Sequence, residues 1–310
     1  MTSLTRTPLA AIHFNDDSGK HIRVYYQAPN GDIKESFYDD SLSGWHPRPE
    51  NTVGHGKLNT GIAALVWGKG TQIGVYFLGD DGSIVERLYS AGTSGWTNGG
   101  MTGRYHAAPY SRLGALSIRN GQDIHIYYQD TNNKLREFIY RVPQGYLEGT
   151  DKLPVALAGT AIAAVANPNE NGQFWVYFQA TDLKLQEYWC NNNSWNQFAL
   201  HNSNQVYPPQ AAIAAVAWSN PAKTRLLSVD QNNKICTTAY DATGTWSPTQ
   251  ELAESTITLT DLALISAAGG SQSAAAQPAL RLYYQNFGAR ISELSSQDGD
   301  NWSVSQSNIA

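Results

Sequence analysis

The stretch HIRVYYQAPNGDIKESFYDDSLSGW, residues 21–45, decides the fold. Two runs that alternate apolar and polar residues flank Pro-Asn-Gly, and a period of two on both sides of a turn reads as an antiparallel hairpin. Arg23 and Glu35 stand twelve positions apart across that turn, with aromatics after them. The form recurs as RLYYQNFGARISELSSQDGDNW at 281–302 and, more loosely, as DIHIYYQDTNNKLREFIYRVPQGY at 123–146.

With Arg23 as marker, Gly74, His125, Trp175, Arg225 and Arg281 follow at steps of 51, 51, 50, 50 and 56. Six units of about 50 residues fill the 310-residue chain and leave no room for a second domain. The expected boundaries are 1–57, 58–108, 109–157, 158–208, 209–257 and 258–310. Each unit opens on a run of small apolar residues, such as LAAIHF at 9 and AIAAVA at 161. An alternating strand follows, then a turn, a second alternating strand, and Gly, Asn or Ser before an aromatic. Three or four short antiparallel strands per unit at this period predict an all-β fold, a six-bladed β-propeller. The innermost strands converge on a narrow axis, which explains their Ala and Gly. A solenoid is the weaker alternative, since neither end reads as a polar capping repeat.

Composition narrows the function. No run of eighteen apolar residues occurs, which argues against a membrane span, and MTSLTRTPLAAIHF lacks the apolar core of a secretory signal. The chain is expected in the cytoplasm or exported by a non-classical route to the cell or spore surface. A net charge of −5 without a basic stripe argues against nucleic acid. Cys190 and Cys236 are the only cysteines and are expected to be free thiols. The sequons at Asn192 and Asn301 are then expected to stay unmodified. No acidic or histidine cluster has metal-ligand spacing, so neither a metal nor a cofactor is expected.

Pairing Arg23 with Glu35 would also pair Tyr25 with Ile33 and Gln27 with Gly31, leaving Ala28-Pro29-Asn30 as the tip. Guanidinium and carboxylate then share one face of the blade. Tyr38 has the opposite parity and faces the other neighbour. A cleft should therefore form between each pair of blades. The plain structural reading is a cross-strand salt bridge with core aromatics behind it. Glutamate, however, stands at five of six equivalent positions (Glu35, Glu86, Glu137, Glu187, Glu293; Thr237 is the exception), against three arginines. A structural ion pair should lose both partners together, because a lone half-buried carboxylate is costly. Retained acids with variable partners point to binding residues. Three after the glutamate come Tyr38, Tyr89, Tyr140, Cys190, Tyr240 and Ser296, a series that reads as core. The later aromatics Trp45, Trp96, Tyr146, Trp195, Trp246 and Trp302 mostly follow Gly- or Asn-rich turns and read as rim. A guanidinium, a carboxylate and a large ring suit a sugar: the charged groups hold hydroxyls, and the ring covers the apolar face.

The repeated pattern IRVYYQ, turn, I-x-E, aromatic, G-W resembles the fungal fucose-specific lectins of the Aleuria aurantia type, including the Aspergillus members, over the whole chain. The resemblance implies L-fucose pockets between consecutive blades, partners that are fucosylated glycans and glycoproteins, multivalent agglutination and no catalysis. A homodimer is compatible with it. By that resemblance the pocket of blades one and two uses Arg23, Glu35, Tyr89 and Trp96, and the ring-closing pocket uses Arg281, Glu293, Tyr38 and Trp45. The others are incomplete. The second keeps Glu86, Tyr140 and Tyr146 but has Gly74 for the arginine; the third keeps Glu137 and Trp195 but has His125 and Cys190. The fourth keeps Glu187, Tyr240 and Trp246 but has Trp175, and the fifth keeps Arg225 and Trp302 but has Thr237 and Ser296. A sialidase-like glycoside hydrolase is the main rival. Ser296–Trp302 resembles a sialidase repeat with its glycine displaced, yet occurs once, and a glycosidase needs two carboxylates at one site. A protein-interaction propeller would give no reason to repeat Arg, Glu and Trp in the clefts.

Overall fold

The two central runs of the opening stretch are strands β2 (Gly19–Gln27) and β3 (Asp32–Asp39). Their register differs by two residues from the expected one: Arg23 opposes Phe37, Tyr25 opposes Glu35 and Gln27 opposes Ile33. The cause is the turn. Gly31 donates to Ala28 O, Ala28 N–H donates to Asp32 O, and Gly31 takes φ +91°, so it is a bulge residue and not a paired one. The same turn recurs in the other hairpins with Gly82, Asn133, Leu183, Asn233 and Ala289 at positive φ. Arg23 and Glu35 still share a face, because a shift of two preserves parity.

The computed structural model describes residues 3–47, 52–167, 172–200, 205–218, 223–241, 244–256, 261–266, 279–286 and 288–309; the boundary expected at 257–258 lies outside them. β1 (Leu9–Asp16) pairs with β2, while β4 (Trp45–Pro47) and the short β5 (Gly54–His55) pair with β3. Five further sheets repeat the four-strand meander in chain order. They run from Ala63–Trp67 to Thr97–Asn98, Gly114–Ile118 to Gly145–Glu148, Ala163–Ala166 to Ser194–Ala199, Ile213–Trp218 to Gln250–Thr256 and Ala263–Ser266 to Ser303–Ser307. The six expected blades form the β-propeller. Its innermost strands ring an axial cavity of about 130 Å³ lined by Ala10, Ala63, Gly114, Ala163, Ala214 and Ala263. Small residues are required here: a Cβ on Gly114 would lie 2.7 Å from Ile162 Cγ2.

The core lies in layers between neighbouring blades. Tyr25 and Ile33 pack on Ile73, Val75 and Phe77 of the second blade, whereas Tyr38 and Trp45 pack with Tyr283 and Ile291 of the last. The two faces of the first blade therefore divide as parity predicts, and burying such side chains contributes about 1.5–3 kcal/mol each.

A buried glutamine ends the second strand of four blades and fastens the next junction. Gln27 Nε2 donates to Gly56 O and Lys57 O, Gln129 Nε2 to Leu157 O, and Gln179 Nε2 to Tyr207 O and Pro208 O. Gln285 does the same where first and last blades meet: its Oε1 accepts from Arg6 N–H at 2.6 Å and its Nε2 donates to Leu4 O at 2.8 Å. Among the described residues no strand is shared between those two sheets. Ile309, buried in the same layer, adds an apolar contact. Among the described residues this seam is held by non-covalent contacts.

Candidate functional site

Because β2 runs beside β3 and the next blade lies behind that face, the junction of blades one and two forms a cleft of about 410 Å³. Arg23 and Glu35 line it from one blade, Tyr89 and Trp96 from the other. All four predicted residues meet. Phe14, Asp16, His21 and Asp39 line it as well. The Arg23 guanidinium does not pair with Glu35 here: Nη1 donates to Asp39 Oδ1 at 2.6 Å, Ile22 O at 2.9 Å and Tyr38 O at 3.2 Å. His21 bridges Asp39 at 2.6 Å and Asp16 at 2.9 Å. The guanidinium is thereby fixed by its own blade before any ligand arrives.

The seam cleft has the expected direct pair. Arg281 Nη1 donates to Glu293 Oε1 at 2.5 Å, Ser305 Oγ donates to the same oxygen at 2.5 Å, and Tyr283 OH donates to Oε2 at 2.7 Å. Arg281 Nε is buried with no acceptor among the described residues. The first blade contributes Trp45, whose ring stands edge-on to Tyr283 at 5.6 Å, and Tyr38, 6.0 Å from Trp45. Burial and then the charge of Asp40 push the Tyr38 hydroxyl up, with Arg281 acting against them.

The other four clefts differ in ways that follow from their substitutions. In the second, Gly74 supplies no cation, and Glu86 accepts from Met101 N–H at 3.1 Å. Burial raises the Glu86 carboxyl above its ordinary value. Gly99 lets that acid approach, because a Cβ there would lie 1.9 Å from Glu86 Oε2. Tyr140 and Tyr146 lie nearby with their rings tilted at 49° and 5.1 Å apart. In the third, His125 replaces the guanidinium: Nδ1 is 2.8 Å from Glu137 Oε1 and Nε2 3.2 Å from Asp123 Oδ1. Burial pulls that imidazole down, the two carboxylates outweigh it, and the net shift is upward. Phe174 stands 4.8 Å from His125 and 5.4 Å from Trp195, filling the space beside buried Cys190. In the fourth, Glu187 is pushed up to about 7 by burial, with the Tyr177 hydroxyl acting against it. Trp175 packs in the same layer as Tyr240 and Trp246. In the fifth, Arg225 is bound on both sides, by Asp241 and by Asp300 of the next blade, each at 3.3 Å. Trp302 donates from Nε1 to Gly299 O at 3.1 Å.

Two expectations change. Trp45, Trp96, Tyr146, Trp195 and Trp302 are half-buried, as a rim position requires, but Trp246 is 8% exposed and belongs to the core, where Tyr177 and Tyr240 enclose it. Likewise the arginine pairs with the repeated glutamate only in the seam cleft; what every one of these glutamates shares is a buried tyrosine directly across the strand pair. Tyr25 opposes Glu35, Tyr76 opposes Glu86, Tyr127 opposes Glu137, Tyr177 opposes Glu187 and Tyr283 opposes Glu293. Tyr127 OH donates to Glu137 Oε1 at 2.7 Å, as Tyr283 does to Glu293. In the fifth blade Leu227 opposes Thr237, so both members are gone. Acid and hydroxyl are lost together, and that joint loss is visible in the sequence. These tyrosines also meet the next blade's tryptophan edge-on, Tyr25 with Trp96 at 6.1 Å and Tyr127 with Trp195 at 6.4 Å. Each forms a floor joining the two walls of its cleft.

Among the described residues no group of His, Cys, Asp and Glu is arranged to hold a metal ion, and no helix is long and apolar enough to cross a membrane. The family model for fungal fucose-specific lectins matches residues 3–309. A fucose-specific lectin of Aspergillus oryzae is 34% identical over 304 residues, covering 94% of this chain and 90% of its own. The fucose-specific lectin of Aleuria aurantia is 26% identical, covering 97% and 95%. Among solved structures, SapL1 lectin in complex with alpha methyl fucoside superposes with a TM-score of 0.81 at 28% identity, over 99% of this chain and 97% of that one. The six-bladed propeller of the Aleuria aurantia lectin gives a TM-score of 0.85 at 24% identity, over 99% and 97%.

Proposed function

From the premise that the chain belongs to the fungal fucose-specific lectin family, we propose that it binds L-fucose and the fucosylated glycans of glycoproteins in its inter-blade clefts, multivalently and without catalysis. The observation that carries this reading is the cleft of about 410 Å³ in which Arg23 and Glu35 face Tyr89 and Trp96 of the next blade. The ring covers the apolar face and C6 methyl of the sugar while guanidinium and carboxylate hold its hydroxyls. The seam cleft offers the same set with an unsatisfied Arg281 Nε donor. These two are the strong sites.

The remaining clefts are weaker for stated reasons: Arg225 is already neutralised by two aspartates, Phe174 fills the third cleft, and Gly74 and Trp175 bring no charge. Hydrolysis is disfavoured even where carboxylates gather. Hydrogen bonds from Ser18 and then His21 hold Asp16 down at about 2, so it does not serve as a general acid, and Asp39 is occupied by Arg23 and His21. The test is calorimetry with free fucose on Arg23→Ala, Arg281→Ala and the double variant. Each single loss should remove one tight site, with affinity there falling about ten- to a hundredfold. A double variant that keeps the parent's stoichiometry and tightest affinity rules out this assignment of residues.

A further inference from the structure

The inter-blade clefts lie toward the β1–β2 turns, where Asp16, His21 and Arg23 stand. At the other end of the innermost strands lies a second recess of about 300 Å³, lined by Arg6, Asn59, Arg112, Gln210, Val229 and Asp261 among others. The strand register shows what is unusual about it. Arg112 and Asp261 occupy one equivalent position in the third and sixth blades, two before Gly114 and Ala263, which pair with Tyr127 and Tyr283; Gly61, Ala161 and Ala212 hold it elsewhere, and Pro8 in the first. Blades three and six are opposite one another in a ring of six. Yet Arg112 Nη1 reaches Asp261 Oδ2 at 3.3 Å, so the ion pair crosses the axis and closes the channel as a floor.

Above that floor, hydrogen-bond donors outnumber acceptors. Arg112 commits only Nη1, to Asp261 and to Asn59 O at 3.4 Å. Arg6 is held in place by its backbone, with φ +61° and its N–H on Gln285 Oε1, while its guanidinium meets no acceptor among the described residues. Two guanidinium groups carry ten N–H donors against one carboxylate. Their planar forks match the paired oxygens of a tetrahedral anion. We infer that this axial recess binds a small tetrahedral oxyanion, the sulfate or phosphate ester group of an acidic sugar. The site is separate from the fucose clefts; the oxyanion assignment stands on the two guanidinium groups alone, and only the choice of a sugar as its carrier rests on the proposed function.

Titration calorimetry in low-chloride buffer with galactose 6-sulfate, inorganic sulfate and galactose tests this. Both sulfated probes should bind and galactose should not. Arg6→Ala should weaken sulfate binding by about tenfold or more, the loss of one charge-assisted contact. Asp261→Asn should strengthen it, because the substitution frees Arg112 and removes the competing negative charge. Fucose binding in both variants should match the parent, which also establishes that they are folded. Sulfate binding unaltered by Arg6→Ala, weakened by Asp261→Asn, or matched by galactose overturns the inference. Binding of inorganic sulfate without galactose 6-sulfate overturns the ester assignment.

Discussion

At the scale of single residues, the tyrosine opposite each glutamate is the position whose importance the linear chain hides. A buried tyrosine in an alternating strand reads as core, and it is core; its hydroxyl nonetheless holds the carboxylate, as in Tyr283 on Glu293. In an Arg23→Ala background, Tyr283→Phe should lower fucose affinity at the seam cleft about tenfold. Calorimetric titration of the two proteins reads the loss, and an unchanged affinity would show that the hydroxyl does not serve the site. Glu187 carries the opposite lesson. Its folded value of about 7 lies above the ordinary 4.5, so the folded state holds a proton that the unfolded state releases. The contribution of this one carboxyl to stability is therefore most favourable below about 4.5 and falls as pH rises toward 7. Glu187→Gln should raise stability at pH 8 by about 1–3 kcal/mol, an advantage that should vanish near pH 4.5 in thermal melts. The Arg and Glu positions were legible from the repeat alone. Which acceptor each arginine takes was not, because a long side chain chooses among carboxylates, such as Asp39 and Asp300, that other strands and blades deliver.

At the scale of the element, the hairpin shows how one backbone angle sets a register. The alternation of RVYYQ and IKESF fixed both strands and their faces, but it counted Gly31 as a paired residue when it is the bulge that closes the turn. A shift of two residues preserves parity, so the cleft forms where alternation predicts it although the cross-strand neighbours differ. The same turn is strained where a side chain occupies the left-handed position. Leu183 sits there at φ +65° and Ala289 at +59°. Leu183→Gly should relieve that strain and stabilise the blade by about 0.5–1 kcal/mol. Urea unfolding would show it as a raised midpoint with an unchanged slope; a lowered midpoint would mean that the Leu183 side chain outweighs its backbone.

At the scale of the whole molecule, the blade count followed from the period, since six copies of one meander fill the chain. Contacts that exist only once the ring is closed could not follow from it. The bridge from Arg112 to Asp261 joins blades with no sequence relation beyond their shared position, and the fastening of Leu4 and Arg6 by Gln285 needs both ends of the chain to meet. That seam has a consequence for the ligand. Five junctions are crossed by the polypeptide itself, but the sixth is not, and the cleft there draws Arg281 and Glu293 from one terminus and Tyr38 and Trp45 from the other. A sugar lodged in it acts as a clasp, tying the beginning of the chain to its end. Fucose should therefore slow amide hydrogen exchange in residues 3–16 and 303–309 of the Arg23→Ala protein, and should do so far less in Arg281→Ala, where only an interior cleft is filled. The bound carbohydrate would then be part of what keeps the circle shut.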